Sequence, residues 1–413
     1  MSKVILNICQ SEIDDCFIYI SGSKSISQRA LIIHFLASFS LDVNNLSDCQ
    51  DTFFLKKILT NLDDLDHINV GQGGTTLRFL LSVLSIQKKK FYVEGDSSLK
   101  NRPLNSLLNA LNSIGVNFNF LRKKNQLPFE LEGEKIISKP IYVDGNKTSQ
   151  FVSSLLLVSP YIKGGIQLEI KNKIVSKSYI NMTVEIMRKC GANIFWCNNQ
   201  IRVKEGEYKK PILSIESDWS SLSYIYQLVA FSKKANITVS SFSYPSIQKD
   251  SDLVLFFDLL GVKTIFDKNL IKIKRSRGYK LPYNIEWDIL ETPDLMPTYV
   301  ISCFALGVNL TLKGIDTLIY KESNRVKSVT EGLNKFNACI KLLNGNLILD
   351  STNPIFNEQV IDSYNDHRIA LAFSALVLKT KKLTINNPSV VNKSYPAFWE
   401  HLKKTGITVV FQK

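Results

Sequence analysis

VEIMRKCGANIFWCNNQIRVKEG, residues 184–206, is the stretch whose reading decides the fold. Val184, Ile186 and Met187 follow a helical spacing, Gly191 stands where that helix must end, and two short strands flank the polar turn Asn198-Asn199. The same grammar recurs in LLNALNSIGVNFNFLRKKNQLPFELEG (107–133), LVLFFDLLGVKTIFDKNLIKIK (253–274) and EGLNKFNACIKLLNGNLILD (331–350), and a truncated copy, FWEHLKKTGITVVF, occupies 398–411. An earlier and less regular copy, FLKKILTNLDDLDHINV, occupies 54–70. The punctuating residues Gly115, Gly191, Gly261, Asn337 and Gly406 are separated by 76, 70, 76 and 69 residues. Asn337 in a glycine position predicts a left-handed helix end, because Asn is the usual non-glycine tenant of that conformation. Dividing 413 residues by six gives about 69, so the chain reads as six α/β units.

Each unit carries a second helix that is apolar nearly all round: ALIIHFLA (30–37), LRFLLSVL (77–84), FVSSLLLV (151–158), SYIYQLVAF (223–231), TYVISCFALG (298–307) and IALAFSALVL (369–378). Helices of that kind are buried. Six units are too many for one core, so the expected architecture is α/β (α+β) with two domains of three units each. The repeat places the first strand with the C-terminal half. This gives a discontinuous domain of residues 1–21 with 217–413, and a second domain of 22–216.

The openings of the buried helices are polar: GSKSISQR, GQGGTT, GNKTSQ, ESDWSS, ETPDLMP and YNDHR. Helix N-termini present unpaired backbone N–H groups and the positive end of the dipole, so openings of this composition suit anions. Gly22-Ser23-Lys24-Ser25 with Arg29 offers hydroxyl donors and two cations, but it lacks the G-x-x-x-x-G-K-[ST] pattern of a nucleotide phosphate loop. Gly71 to Thr76, with Arg78 beyond, is a second glycine-rich opening, and Thr148-Ser149-Gln150 supplies neutral donors at a third. Lys321, Glu322 and Arg325 fall within one helical turn, with Glu322 and Arg325 on the same side. Asp294 follows Pro293, Arg102 precedes Pro103, Arg368 belongs to the YNDHR opening, and Lys393 lies in NKSYP. Taken singly, each has an ordinary reading as a turn, a cap or a surface ion pair. Together, cations from five or more units at the starts of buried helices suit an enzyme handling two small polyanions, with carboxylates for proton transfer.

Composition agrees. Apolar residues make up 45% and charged residues 21%, which are globular proportions. No apolar run approaches the roughly 18 to 20 residues that span a bilayer, and the opening MSKVILNICQSEIDDC resembles neither a signal nor a transit peptide, so a cytoplasmic protein is expected. Seven scattered cysteines, none in a C-x-x-C pair, and four histidines at unrelated spacings argue against disulfides and against a metal site. The net charge of +14 fits an anionic partner or a solvated basic surface. A nucleic-acid-binding repeat protein would share that charge, but no recognisable module appears and the cations favour helix openings over one stripe.

The ordered motifs GSKSISQRA, GGTTLR, NRPL, TSQF, VSKSYI, Pro293-Asp294, KESNR, YNDHR and NKSYP, from about residue 20 to 396, resemble those of the EPSP synthase family of enolpyruvyl transferases. The resemblance implies two domains of three α/β units, with helix N-termini converging on an interdomain cleft; cations facing one another across it would repel until anions intervene, so both ligands together are expected to close it. It also implies transfer of the enolpyruvyl group of phosphoenolpyruvate to the 5-hydroxyl of shikimate 3-phosphate, by a monomer with no metal, no organic cofactor and no nucleic-acid or membrane partner. Carried over by motif, Lys24, Ser25, Arg29, Thr148, Ser149, Gln150, Ser176, Tyr179, Asp294, Thr317 and Lys321 would meet shikimate 3-phosphate. Lys24, Gly74, Arg102, Gln150, Arg325, Arg368 and Lys393 would meet phosphoenolpyruvate, and Asp294, Glu322 and Lys24 would serve the chemistry. The chain departs from the family pattern at Ser21 and at Gln72 and Thr317, where Pro, Asn and Asn are usual. The sister transferase acting on UDP-N-acetylglucosamine fits less well, since Lys24 is followed by Ser25 rather than Asn and no cysteine lies between Cys49 and Cys190.

Overall fold

A four-stranded sheet of one fixed order recurs through the computed structural model, which describes residues 2–412 apart from 11, 101, 134, 135 and 137. In one sheet Asn284–Asp288 runs parallel to Asn309–Lys313, which pairs antiparallel with Asn346–Asp350, which in turn pairs antiparallel with Cys339–Leu343. Five sheets of this order form among the described residues. Strands such as Lys3–Asn7 alternate because successive side chains point to opposite faces, with Val4 and Leu6 buried.

Two of these sheets join distant parts of the sequence. Cys16–Ile18 runs parallel to Asn236–Ser240, and Lys3–Asn7 lies between Lys382–Asn386 and Thr408–Gln412. The chain accordingly divides into a unit of Met1–Gly22 with Glu216–Lys413 and a unit of Ser23–Ile215. The repeat that opens the second unit keeps its helices Lys24–Leu36 and Gln50–Thr60 and the isolated pairing of Asn44 with Ser214, but forms no four-stranded sheet among the described residues.

Three apolar helices pack on one another at the centre of each unit. They are Trp219–Phe231, Met296–Leu306 and His367–Ser374 in the first, and Lys24–Leu36, Gly74–Ser85 and Gln150–Val158 in the second. Some of their polar groups pair with one another, as the hydroxyls of Ser223 and Thr298 do at 3.1 Å, and an unpaired buried hydroxyl would cost roughly 1–3 kcal/mol. The outer helices end in left-handed residues as the repeat predicts: φ is 107° at Gly115, 102° at Gly191, 74° at Gly261, 84° at Gly406 and 66° at Asn337.

Two helices of the first unit approach each other closely. Arg325–Asn334 meets His367–Ser374 through Gly332, where an added Cβ would lie 2.3 Å from Cζ of Phe373. Among the described residues no helix is long and apolar enough to cross a membrane.

Candidate active site

The sequence around Asp294 folds so that a carboxylate starts a buried helix. Pro293 fixes the first position of the turn Pro293–Leu295, which runs directly into Met296–Leu306, leaving Asp294 half-buried at the opening. Nearby, Tyr364 and Asn365 adopt left-handed conformations (φ 52° and 56°), which turn the chain so that Asp366 caps His367–Ser374 through Arg368 N at 3.0 Å. Asn324 caps Arg325–Asn334 in the same way through Lys327 N at 3.2 Å.

These openings bring seven charges into one network. Asp294 Oδ1 accepts from Arg325 Nη1 (2.7 Å) and Lys321 Nζ (3.2 Å), and its Oδ2 accepts from Arg368 Nη2 (2.6 Å). Arg325 is 1% exposed and also donates from Nη2 to Glu322 (2.8 Å) and from Nε to Asp366 (2.9 Å). Lys393 Nζ lies 3.5 Å from the other oxygen of Glu322, and Arg368 Nη1 reaches the Tyr224 hydroxyl at 3.4 Å. Four cations against three carboxylates leave a net charge of +1, and burial of that charge makes the cluster a place for anions.

Burial alone would raise the pKa of Asp294, but Arg368, Lys321 and Arg325 outweigh it and hold the carboxyl well below the ordinary range. Burial lowers Lys321 despite the attraction of Asp294. Burial also opposes the charge on Arg325, yet Asp366, Asp294 and Glu322 together raise its pKa. A further carboxyl, Asp250, is pushed up to about 7 by burial and by the negative charge of Asp294, although it accepts a hydrogen bond from Ser220.

A second cluster lies in the Ser23–Ile215 unit. Ser23 caps Lys24–Leu36, and Lys24 Nζ pairs with Asp51 at 2.7 Å. Asp51 approaches Gly73, and its backbone carbonyl accepts from Thr76 Oγ1 at 3.2 Å, which ties the first opening to the second. At Gly74 an added Cβ would stand 2.2 Å from Nη1 of Arg102 and 2.9 Å from Nη1 of Arg78, so only glycine admits both guanidinium groups. Arg78 is 2% exposed, lies over the Phe151 ring, and donates to Gln150 Oε1 (2.6 Å), Pro103 O (2.8 Å) and Gly74 O (3.3 Å).

Arg29 is also buried, and its guanidinium meets protein acceptors: Thr183 Oγ1 and Ser25 O at 2.7 Å, Tyr179 O at 3.1 Å and Ser153 Oγ at 3.4 Å. Burial lowers its pKa to about 10. Ser176 holds a left-handed conformation (φ 51°) at the start of Lys177–Lys189, a strained setting for a non-glycine residue. Thr148 Oγ1 accepts from Gln150 N at 3.3 Å, and Ser149 is buried beside it.

The structure thus joins Asp294, Lys321, Glu322, Arg325, Arg368 and Lys393 in one network, and Lys24, Gly74, Arg102 and Gln150 in neighbouring contacts of another. Thr317 is buried in the turn that leads to Lys321. Arg102 and Pro103 lie in the loop just ahead of the helix Asn105–Ser113, and Asn101 of NRPL lies outside the described residues. Arg78, Asp51 and Asp366 belong to these networks although sequence reasoning gave them no role. Arg78 had a signal, one helical turn after Gly74 in a glycine-rich opening. Asp51 had none. Among the described residues no group of three or more His, Cys, Asp or Glu side chains is placed to hold a metal ion.

Comparison with known proteins points the same way. The family model described as EPSP synthase (3-phosphoshikimate 1-carboxyvinyltransferase) matches residues 65–402. The 3-phosphoshikimate 1-carboxyvinyltransferase of Bacteroides fragilis is 34% identical over 395 residues, covering 95% of this chain and 95% of that protein. The protein of the same name from Buchnera aphidicola subsp. Cinara cedri is 29% identical over 414 residues, covering 93% of each. The solved EPSP synthase of Acinetobacter baumannii aligns over 100% of both chains with a TM-score of 0.78 at 18% identity, a likeness of fold.

Proposed function

The chain belongs to the EPSP synthase (3-phosphoshikimate 1-carboxyvinyltransferase) family, and from that premise we propose how its two charged clusters divide the work. The reaction is the transfer of the enolpyruvyl group of phosphoenolpyruvate to the 5-hydroxyl of shikimate 3-phosphate, with release of phosphate. Lys24, Ser25, Arg29, Thr148, Ser149, Gln150, Ser176, Tyr179, Thr317 and Lys321 hold shikimate 3-phosphate. Gly74, Arg102, Arg325, Arg368 and Lys393, with Lys24 and Gln150 shared, hold phosphoenolpyruvate.

Asp294 takes the proton of the 5-hydroxyl as that oxygen bonds to the central carbon of phosphoenolpyruvate, and Glu322, which enters the step as the protonated acid, delivers that proton to the methylene carbon. The product is a tetrahedral adduct. Glu322 then removes a proton from the new methyl group, the bond to phosphate breaks, and the hydroxyl proton leaves with phosphate. The network of Asp294, Glu322 and Arg325 carries this reading: two carboxylates gripped by one buried guanidinium, with three further cations around them.

Those cations make Asp294 a weak base. A phosphate or carboxylate bound to Lys321, Arg325 and Arg368 shares their field and lifts the carboxyl toward the range a general base needs. Pairing to anions already in place also pre-arranges the cations where charge develops. A monomeric, cytoplasmic enzyme is part of the same proposal, supported by the family alone.

Purified protein should release phosphate from phosphoenolpyruvate only when shikimate 3-phosphate is present, and not with UDP-N-acetylglucosamine. Release with the sugar nucleotide instead would move the chain to the sister activity.

A further inference from the structure

Four lysines of the Ser23–Ile215 unit that the mechanism leaves unused gather, with Arg102, around a cavity of about 690 Å³. Lys123 and Lys124 reach it from the turn between Val116–Phe120 and Phe129–Gly133, Lys100 and Arg102 from the loop before Asn105–Ser113, and Lys147 from the loop before Gln150–Val158. Among the described residues Asp144 is the one carboxylate in the lining, and its Oδ1 already accepts from Asn146 N and Asn172 Nδ2, both at 3.0 Å. Five cations less one carboxylate leave a charge of +4. Among the described residues Lys100, Lys123 and Lys124 form no ion pair, so their field is not cancelled locally. A wall of one sign around a concave space concentrates small anions of the opposite sign and can raise association rates by about 10- to 1000-fold. Arg102 belongs both to this lining and to the contact with Gly74.

We propose that this cavity is an outer capture site for phosphoenolpyruvate, which it passes to Arg102. The inference rests on the assignment of Arg102 to that substrate. Phosphoenolpyruvate carries a carboxylate and a phosphate, and the spread of the lysines over three separate loops suits a ligand charged at both ends. The lysines act before the chemistry, so they govern capture and leave the transfer step alone.

The test pairs Lys123→Gln/Lys124→Gln with a control of equal charge change, Lys209→Gln/Lys210→Gln, two exposed residues of the same unit that do not line the cavity. Broadening of the ³¹P resonance of phosphoenolpyruvate, measured at low salt without shikimate 3-phosphate, reads binding independently of turnover. Wild-type and control proteins should broaden it alike, and the cavity variant several-fold less. In single-turnover phosphate release the cavity variant should lose about three- to tenfold in the initial slope against phosphoenolpyruvate concentration, keep the plateau, and converge with wild type near 0.5 M salt as the field is screened. Equal broadening by all three proteins, or equal loss in the control, overturns the capture site. Absence of phosphate release from wild type with the broadening difference intact would instead sink the transferase reading and leave an anion site standing.

Discussion

The guanidinium of Arg325 donates to three carboxylates, Asp366, Asp294 and Glu322, whereas that of Arg78 reaches neutral oxygens of Gly74, Pro103 and Gln150. In the proposed mechanism the first arrangement holds two carboxylates, Asp294 and Glu322, in place for proton transfer. The second fixes an orientation, because a Gln150 Oε1 that accepts from Arg78 leaves the amide NH₂ as the donor offered to a ligand. Arg78→Lys keeps the charge but loses the planar fork. It should raise KM for phosphoenolpyruvate about tenfold or more, with kcat changed less and the melting temperature within a few degrees. Unchanged KM in a folded variant would remove the positioning role. Asp294, Glu322 and Arg325 were legible in the sequence because they sit in short motifs with recognisable neighbours. Lys321, Arg368 and Lys24 were legible as candidates too, but the pairings were not: Lys321 lies 27 residues and Arg368 lies 74 residues from Asp294, and Lys24 lies 27 from Asp51, separations that no local pattern encodes.

At the scale of elements, the helices that carry Arg325 and Arg368 are spaced by Gly332 against Phe373. Gly332→Ala would force a methyl group to within 2.3 Å of that ring and push the two helices apart. Overpacking of this kind costs about 1–3 kcal/mol, and urea unfolding should show it together with a loss of activity. Adding Phe373→Leu should recover part of both; a Gly332→Ala protein as stable and active as wild type would show that the helices are not held by this contact. The six-fold repeat was legible because helix ends are local: a left-handed residue that ends a helix favours Gly or Asn, and Asn337 follows that preference. The sheets were less so. Strand partnership between Cys16–Ile18 and Asn236–Ser240 spans the whole second unit, and the less regular copy at 54–70 gives its strand His67–Asn69 to the sheet of Lys90–Glu94.

For the whole molecule, the buried carboxyls set how stability responds to pH in opposite ways. The depressed pKa of Asp294 means its pairing is fully present above the unfolded value of about 4 and is lost only as pH falls through the lower folded value. Asp250 is held near 7, so the folded chain keeps a proton that the unfolded chain releases, and wild type loses stability as pH rises from about 4 to about 7. Asp250→Asn should gain on wild type across that window and hold a constant advantage above it. Thermal melts from pH 5 to 8 check this, and parallel curves would refute it. Asp294 and Glu322 carry the proton transfers in the proposed mechanism, and phosphate release by wild type, Asp294→Asn and Glu322→Gln with both substrates decides whether they do. Each variant should bind both substrates and lose about 10²- to 10⁴-fold in kcat. Full turnover by either folded variant would contradict the assignment of that carboxylate.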